Sequence, residues 1–155
     1  MAIEIERKFL VKNNIWRSLA TGCLYRQGYL PSQNLTTIRV RTVGDRGYLT
    51  IKGKNMGMSR LEFEYEIPLT DANELLENLC QTPLIEKYRY CIAWGNHTWE
   101  VDEFLGQNQG LIVAEVELKH ETEAIAIPDW IGQEVTGDRR YYNVNLAKIP
   151  YSQWE

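Results

Sequence analysis

The chain has 155 residues, 44% of them hydrophobic and 25% charged, with a formal net charge of −4. That composition excludes a disordered or fibrous protein, and its acidic balance argues against a basic face that coats nucleic acid. No apolar run approaches the ~20 residues of a membrane-spanning helix, and acids from the fourth residue exclude a secretory signal. The three cysteines (Cys23, Cys80, Cys91) have no metal-like spacing and read as reduced thiols. His97 and His120 lie too far apart for a zinc motif. The expectation is one cytoplasmic domain over residues 1–155.

The first predicted strand is Ile3–Val11, ended by Lys12-Asn13-Asn14, where Asn13 or Asn14 would cap a short helix around 15–20. Residues 24–30 predict a second strand, closed by Pro31. Residues 36–43 and 48–54 flank Gly44-Asp45-Arg46-Gly47, a hairpin signal. A strand over 60–69 leads to a helix capped by Thr70 or Asp71, with Leu75, Leu76 and Leu79 as its apolar face. Beyond Pro83, residues 86–94 and 98–104 are joined across Gly95-Asn96, and a Gly106–Gly110 turn leads into 111–119. Asp138 would cap a last helix running to about Ala147 and stopped before Pro150. About eight strands and three helices in this order predict a mainly β (α+β) fold. It is an eight-stranded antiparallel sheet closed into a barrel, with helices packed outside.

Alternation divides each strand between two faces. One face carries Lys8, Arg39, Arg41, Lys52, Arg60, Lys87 and Arg89. It also carries Glu4, Glu6, Glu62, Glu64, Glu66, Glu100, Asp102, Glu115 and Glu117, giving seven positive charges against nine negative. A solvated face ordinarily interleaves signs, because like charges opposite one another destabilise a sheet. Here they come in blocks, with Glu-x-Glu at three places and Arg-x-Arg and Lys-x-Arg between. Clustered carboxylates call for a cation and clustered guanidiniums for an anion. Two divalent cations would turn the net −2 into +2, partly offsetting a triphosphate of roughly four to five negative charges. Oxygen-only ligands select a hard ion, Mg²⁺ or Mn²⁺. A closed sheet with this face inward would enclose a charged tunnel.

The opening Glu4-Ile5-Glu6-Arg7-Lys8-Phe9-Leu10 resembles the Glu-x-Glu-x-Lys signature of the CYTH superfamily, the triphosphate tunnel metalloenzymes. The likeness continues through Tyr25-Arg26-Gln27-Gly28-Tyr29-Leu30, Arg39-Val40-Arg41, Thr50-Ile51-Lys52-Gly53 and Arg60-Leu61-Glu62-Phe63-Glu64. It extends through Glu86-Lys87-Tyr88-Arg89-Tyr90, Trp99-Glu100-Val101-Asp102 and Ala114-Glu115-Val116-Glu117-Leu118 to the tail Arg140-Tyr141-Tyr142-Asn143.

The resemblance implies an eight-stranded tunnel and metal-dependent hydrolysis of a triphosphate, with inorganic tripolyphosphate going to pyrophosphate and phosphate. Glu4, Glu6, Glu115 and Glu117 would hold Mg²⁺ or Mn²⁺. Glu62, Glu64 and Glu115 would place a second metal or the attacking water, with Lys87 beside them in the catalytic set. Lys8, Arg39, Arg41, Lys52, Arg60, Lys87 and Arg89 would bind phosphate oxygens, Arg60 alternatively pairing with a neighbouring carboxylate. Glu66 and Glu100 would be rim or ion-pair residues. Tyr25, Tyr29 and Trp94 read as packing residues, and both histidines as turn or strand-end residues. The alternatives are a class IV-type adenylate cyclase, a thiamine triphosphatase, a non-catalytic polyphosphate or nucleotide binder, and an apolar-ligand barrel, which the charge blocks oppose. The expected partner is a small triphosphate, with no nucleic acid or membrane, and the aromatic exterior would permit a homodimer.

Overall fold

The computed structural model describes residues 3–154. Its strands are β1 (Ile3–Val11), β2 (Cys23–Leu30), β3 (Thr37–Val43), β4 (Arg46–Lys52), β5 (Ser59–Ile67), β6 (Ile85–Trp94), β7 (His97–Phe104), β8 (Ile112–Glu117) and β9 (Ile131–Glu134). They pair antiparallel in the order β5-β4-β3-β2-β6-β7-β8-β1-β9, and β5 returns to β1. The first eight strands therefore close into the barrel that alternation predicts.

The ninth strand was not predicted. It lies against β1 at Phe9 and Val11, beyond the three pairs Ile3–Leu61, Glu4–Arg60 and Ile5–Ser59 that join β1 to β5. One edge of β1 thus serves two partners in succession. With four residues, one of them Gly132, β9 carries too little alternation to announce itself.

The first hairpin turn is tighter than the sequence suggested, and the second falls at Gly95-Asn96 as expected. Pairs Val43–Arg46 and Trp94–His97 leave only Gly44-Asp45 and Gly95-Asn96 as turn residues. The glycines supply the left-handed backbone there, with φ of 59° and 61°. Arg46 and Gly47 accordingly belong to β4. A Cβ at Gly47 would stand 2.7 Å from the Ala72 Cβ, so glycine lets the following helix pack closely on the sheet.

That helix, α1 (Leu69–Asn78), starts after Pro68, one to two residues before the expected caps; Asp71 sits instead in its first turn, where a negative charge complements the helix dipole. Ala72 and Leu76 pack on Val40, while Leu79 ends the helix and is exposed, outside the apolar face assigned to it. The first expected helix is a single 3₁₀ turn, Ile15–Ser18, in which Asn13 Oδ1 accepts from the Ile15 N–H and Trp16 is fully buried. The last is broken in two. Asp138 caps the 3₁₀ turn Arg139–Tyr141, Tyr142 is extended, and α2 (Asn143–Lys148) follows. The break comes where Tyr142 and Asn143 turn toward the barrel interior.

The apolar core lies largely on the outside of the barrel, as a charged interior requires. Phe9, Ile92, Trp99, Val101, Val116 and Trp130 pack with Trp16 under the 3₁₀ turn and the loop before β9. Leu10, Ile85, Phe104 and Val113 are different: they share the inward face with Lys8, Lys87, Asp102 and Glu115. With Tyr29, Tyr141 and Leu146 they form an apolar plug inside one part of the barrel. Among the described residues no helix is long and apolar enough to cross a membrane.

Candidate active site

The inward strand faces converge on a cavity of about 360 Å³. β1 contributes Glu4, Glu6 and Lys8; β3 contributes Arg39 and Arg41; β4 contributes Lys52; and β5 contributes Arg60, Glu62 and Glu64. Lys87 and Arg89 enter from β6, and Glu115 and Glu117 from β8. Every predicted site residue lines this one space. Glu100 also lines it, where it pairs with Arg89, while Glu66 stays outside, paired with Arg46 at 3.3 Å.

The charges are sorted into halves. On one side Lys52 Nζ lies 3.0 Å from Glu4 and 3.8 Å from Glu62, and Lys8 Nζ lies 3.5 Å from Glu115. Glu6 and Glu117 stand directly opposite each other on β1 and β8. Burial, with Glu115 and Glu4 nearby, pushes Glu6 up to about 8. Burial and then Glu4 and Glu100 raise Glu117. Glu62 is raised to about 7 by burial and a hydrogen bond to Glu4. Burial also opposes the charge on Glu115, but Lys8, Arg89 and Lys87 outweigh it and hold that carboxyl well below its usual range.

On the other side Arg39, Arg41 and Arg89 crowd together. Burial, then Arg39 and Arg89, press Arg41 down to about 9, still a cation at neutral pH. Its Nε donates to Gln27 Oε1 at 2.8 Å, and its guanidinium carbon sits 5.0 Å from the Tyr25 ring. Arg39 donates to Thr50 and Glu64, but its buried Nε has no partner. Arg60 bonds the Gly53 carbonyl and Thr37 rather than a carboxylate. Beneath them Asp102 accepts from Lys87 at 2.7 Å and from two nitrogens of Arg89 at 2.7 and 2.8 Å. Burial nevertheless lowers Lys87 to about 7, with Arg89 and Arg41 adding to the effect.

Several lining residues were missed or read otherwise. Tyr25 and Tyr29, read as packing, face the cavity; Tyr25 spreads under both Arg41 and Arg89. Their register opposite Lys87 and Arg39 was the available signal. Tyr142 and Asn143 come from the tail. The Tyr142 ring lies 5.2 Å from Lys8 Nζ, and Asn143 Oδ1 accepts from Lys87 at 2.9 Å. Trp94 packs on Trp130, and His97 opens β7, as expected.

Among the described residues no three His, Cys, Asp or Glu side chains already converge as a metal cage. The donor set nevertheless fits a hard cation. Glu6 and Glu117 are oxygen donors on facing strands, each destabilised as an anion and neither ion-paired among the described residues. Mg²⁺ is commonly held by one or two carboxylates, with substrate phosphates and water completing the shell.

The sequence compares closely with known proteins. It is 55% identical over 155 residues to an inorganic triphosphatase of Acetivibrio thermocellus, covering 100% of this chain and 99% of that protein. It is 38% identical over 149 residues to an inorganic triphosphatase of Nitrosomonas europaea, covering 93% and 96% respectively. A crystal structure of an inorganic triphosphatase superposes with a TM-score of 0.67 at 33% identity, over 92% of this chain and 96% of that one. The CYTH domain model matches residues 2–145. With this match spanning nearly its whole length, the chain belongs to the CYTH domain family.

Proposed function

We propose that this protein is a metal-dependent inorganic triphosphatase that hydrolyses tripolyphosphate to pyrophosphate and phosphate. The observation that carries the reading is the division of one enclosed cavity into an underpaired carboxylate half and a crowded guanidinium half. A condensed phosphate with its cation relieves both at once. The relatives named inorganic triphosphatase support the same substrate.

In this reading the phosphate chain lies against Arg39, Arg41, Arg89 and Lys87, with Lys8, Lys52 and Arg60 along its flank. Guanidiniums already fixed around the cavity stabilise charge as it develops on the transferred and leaving groups. Water attacks a terminal phosphorus, the bridging P–O bond breaks, and pyrophosphate leaves. Glu62, with a pKa near 7, is the candidate to receive the proton of that water, which Glu64 and Glu115 help to orient. Lys87, also near 7, is suited to hold a proton against the leaving oxygen. Glu4, Glu6, Glu115 and Glu117 are the oxygen donors available to Mg²⁺ or Mn²⁺. When bound, such an ion supplies charge neutralisation and a more acidic water.

Phosphate release from tripolyphosphate, ATP and thiamine triphosphate, each with Mg²⁺, Mn²⁺ or chelator, tests the reading. Turnover of tripolyphosphate well above the others and lost with chelator is expected. Equal turnover of all three, or turnover in chelator, would overturn it.

A further inference from the structure

A second chamber of about 460 Å³ adjoins the tunnel. Thr37, Asn55, Arg60, Tyr142 and Val144 line both, so the two spaces meet along that wall. Its own cations are Lys54, from the loop after β4, and Arg139 and Lys148, from the tail; with Arg60 they make four. Among the described residues no carboxylate lines this chamber, and none of the four is ion-paired to one.

The contrast with the other opening is sharp. A chamber of about 620 Å³ meets the tunnel at Glu100 and Glu117, adds Glu123, and offers Lys119 as its lysine. The two chambers share no lining residue. A polyanion is repelled from this acidic chamber and drawn to the basic one, because clefts lined by one sign of charge concentrate the opposite ion.

We propose that the Lys54–Arg60–Arg139–Lys148 chamber is an outer binding site for condensed phosphate, where the anion is captured before it passes Arg60 into the tunnel. This rests on the triphosphatase reading and adds to it a direction of entry. Lys54, Arg139 and Lys148 line the outer chamber and not the tunnel, so their contribution falls on substrate capture.

The test compares Lys54→Gln/Lys148→Gln with Lys12→Gln/Arg26→Gln, which removes the same two charges from positions lining none of these chambers. In the first variant, kcat/KM for tripolyphosphate should fall about tenfold at ~10 mM salt, with the loss carried by KM. The difference from the control should close near ~1 M salt, where screening reaches ~3 Å. Calorimetry with tripolyphosphate and chelator-treated protein should show weaker binding by the first variant only. Identical kcat/KM and salt slopes in the two variants would overturn the proposal. Should the wild type release no phosphate from tripolyphosphate, the triphosphatase reading falls by itself. The calorimetry still decides the chamber: unchanged binding overturns it, and selective loss upholds it.

Discussion

Lys87 Nζ donates to Asn143 Oδ1 at 2.9 Å, tying a buried tunnel lysine to a residue 56 positions later in the chain. Asn143 also receives a longer bond from Gln27 at 3.4 Å, and Gln27 in turn holds Arg41. The tail therefore helps to fix two of the candidate phosphate ligands. Replacing Asn143 with Asp adds a carboxylate beside Lys87 and should raise the pKa of that lysine by ~1 unit or more. The pH dependence of kcat/KM, which reports the free enzyme, should shift upward at the limb set by Lys87. An unmoved profile would separate Asn143 from the proton state of Lys87.

Arg41 is a buried cation with no carboxylate partner among the described residues and two guanidiniums for neighbours. Removing such a charge tends to stabilise a fold, whereas removing a phosphate donor costs catalysis. Arg41→Leu should therefore raise Tm by ~2–4 °C per kcal/mol of relieved repulsion while lowering kcat/KM about 100-fold or more. Thermal melts and steady-state rates on the same preparation check both signs.

Glu6 is the carboxyl most in need of a cation. Glu6→Gln should leave the metal-free protein as stable as wild type or more so. The rise in Tm that Mg²⁺ or Mn²⁺ gives wild type should shrink, because stabilisation by a ligand follows its affinity for the folded state. A melt series across metal concentrations measures this without reference to turnover. An undiminished shift would remove Glu6 from the ligand set.

Asp102 provides the pH prediction. Burial opposes its charge, but Arg89 and then Lys87 outweigh that and hold its pKa below the ordinary value. A depressed carboxyl contributes stability that is present above its unfolded pKa of ~3.9 and lost as pH falls through the folded value. Asp102→Asn should cost about 3–5 kcal/mol at neutral pH, since it strands two buried cations. It should also flatten the loss of stability below about pH 4. Urea unfolding of both proteins from pH 3 to 7 tests the magnitude and the slope.

Alternation made most of this molecule readable. Glu4, Glu6 and Lys8 on one strand, or Lys87 and Arg89 on another, cannot face an apolar core, so a closed sheet had to point them at a shared interior. The apolar plug escaped the same rule because Leu10, Ile85, Phe104 and Val113 continue the inward face at strand ends, where alternation says which side but not what fills it. Asn143 and Tyr142 were hidden for another reason. In the sequence they fall inside the helix expected from Asp138 to about Ala147, and only the return of the tail across the barrel gives them Lys87 and Lys8 as neighbours. The helix boundary at Pro68 was lost to a competing signal, since Thr70 and Asp71 are both good capping residues yet fall inside the first turn.

The join between β1 and β5 rests on Ile3, Glu4 and Ile5, and Glu4 is itself a wall of the cavity. Mechanical integrity and chemistry are thus vested in the same short stretch of backbone. A transient parting of this seam would unfasten the ring and carry an acid away from Lys52 in one motion. Amide hydrogen exchange at Glu4 and Glu6, whose backbone groups face the β5 side, would register both losses with a single rate, and that rate should slow when the cavity is occupied.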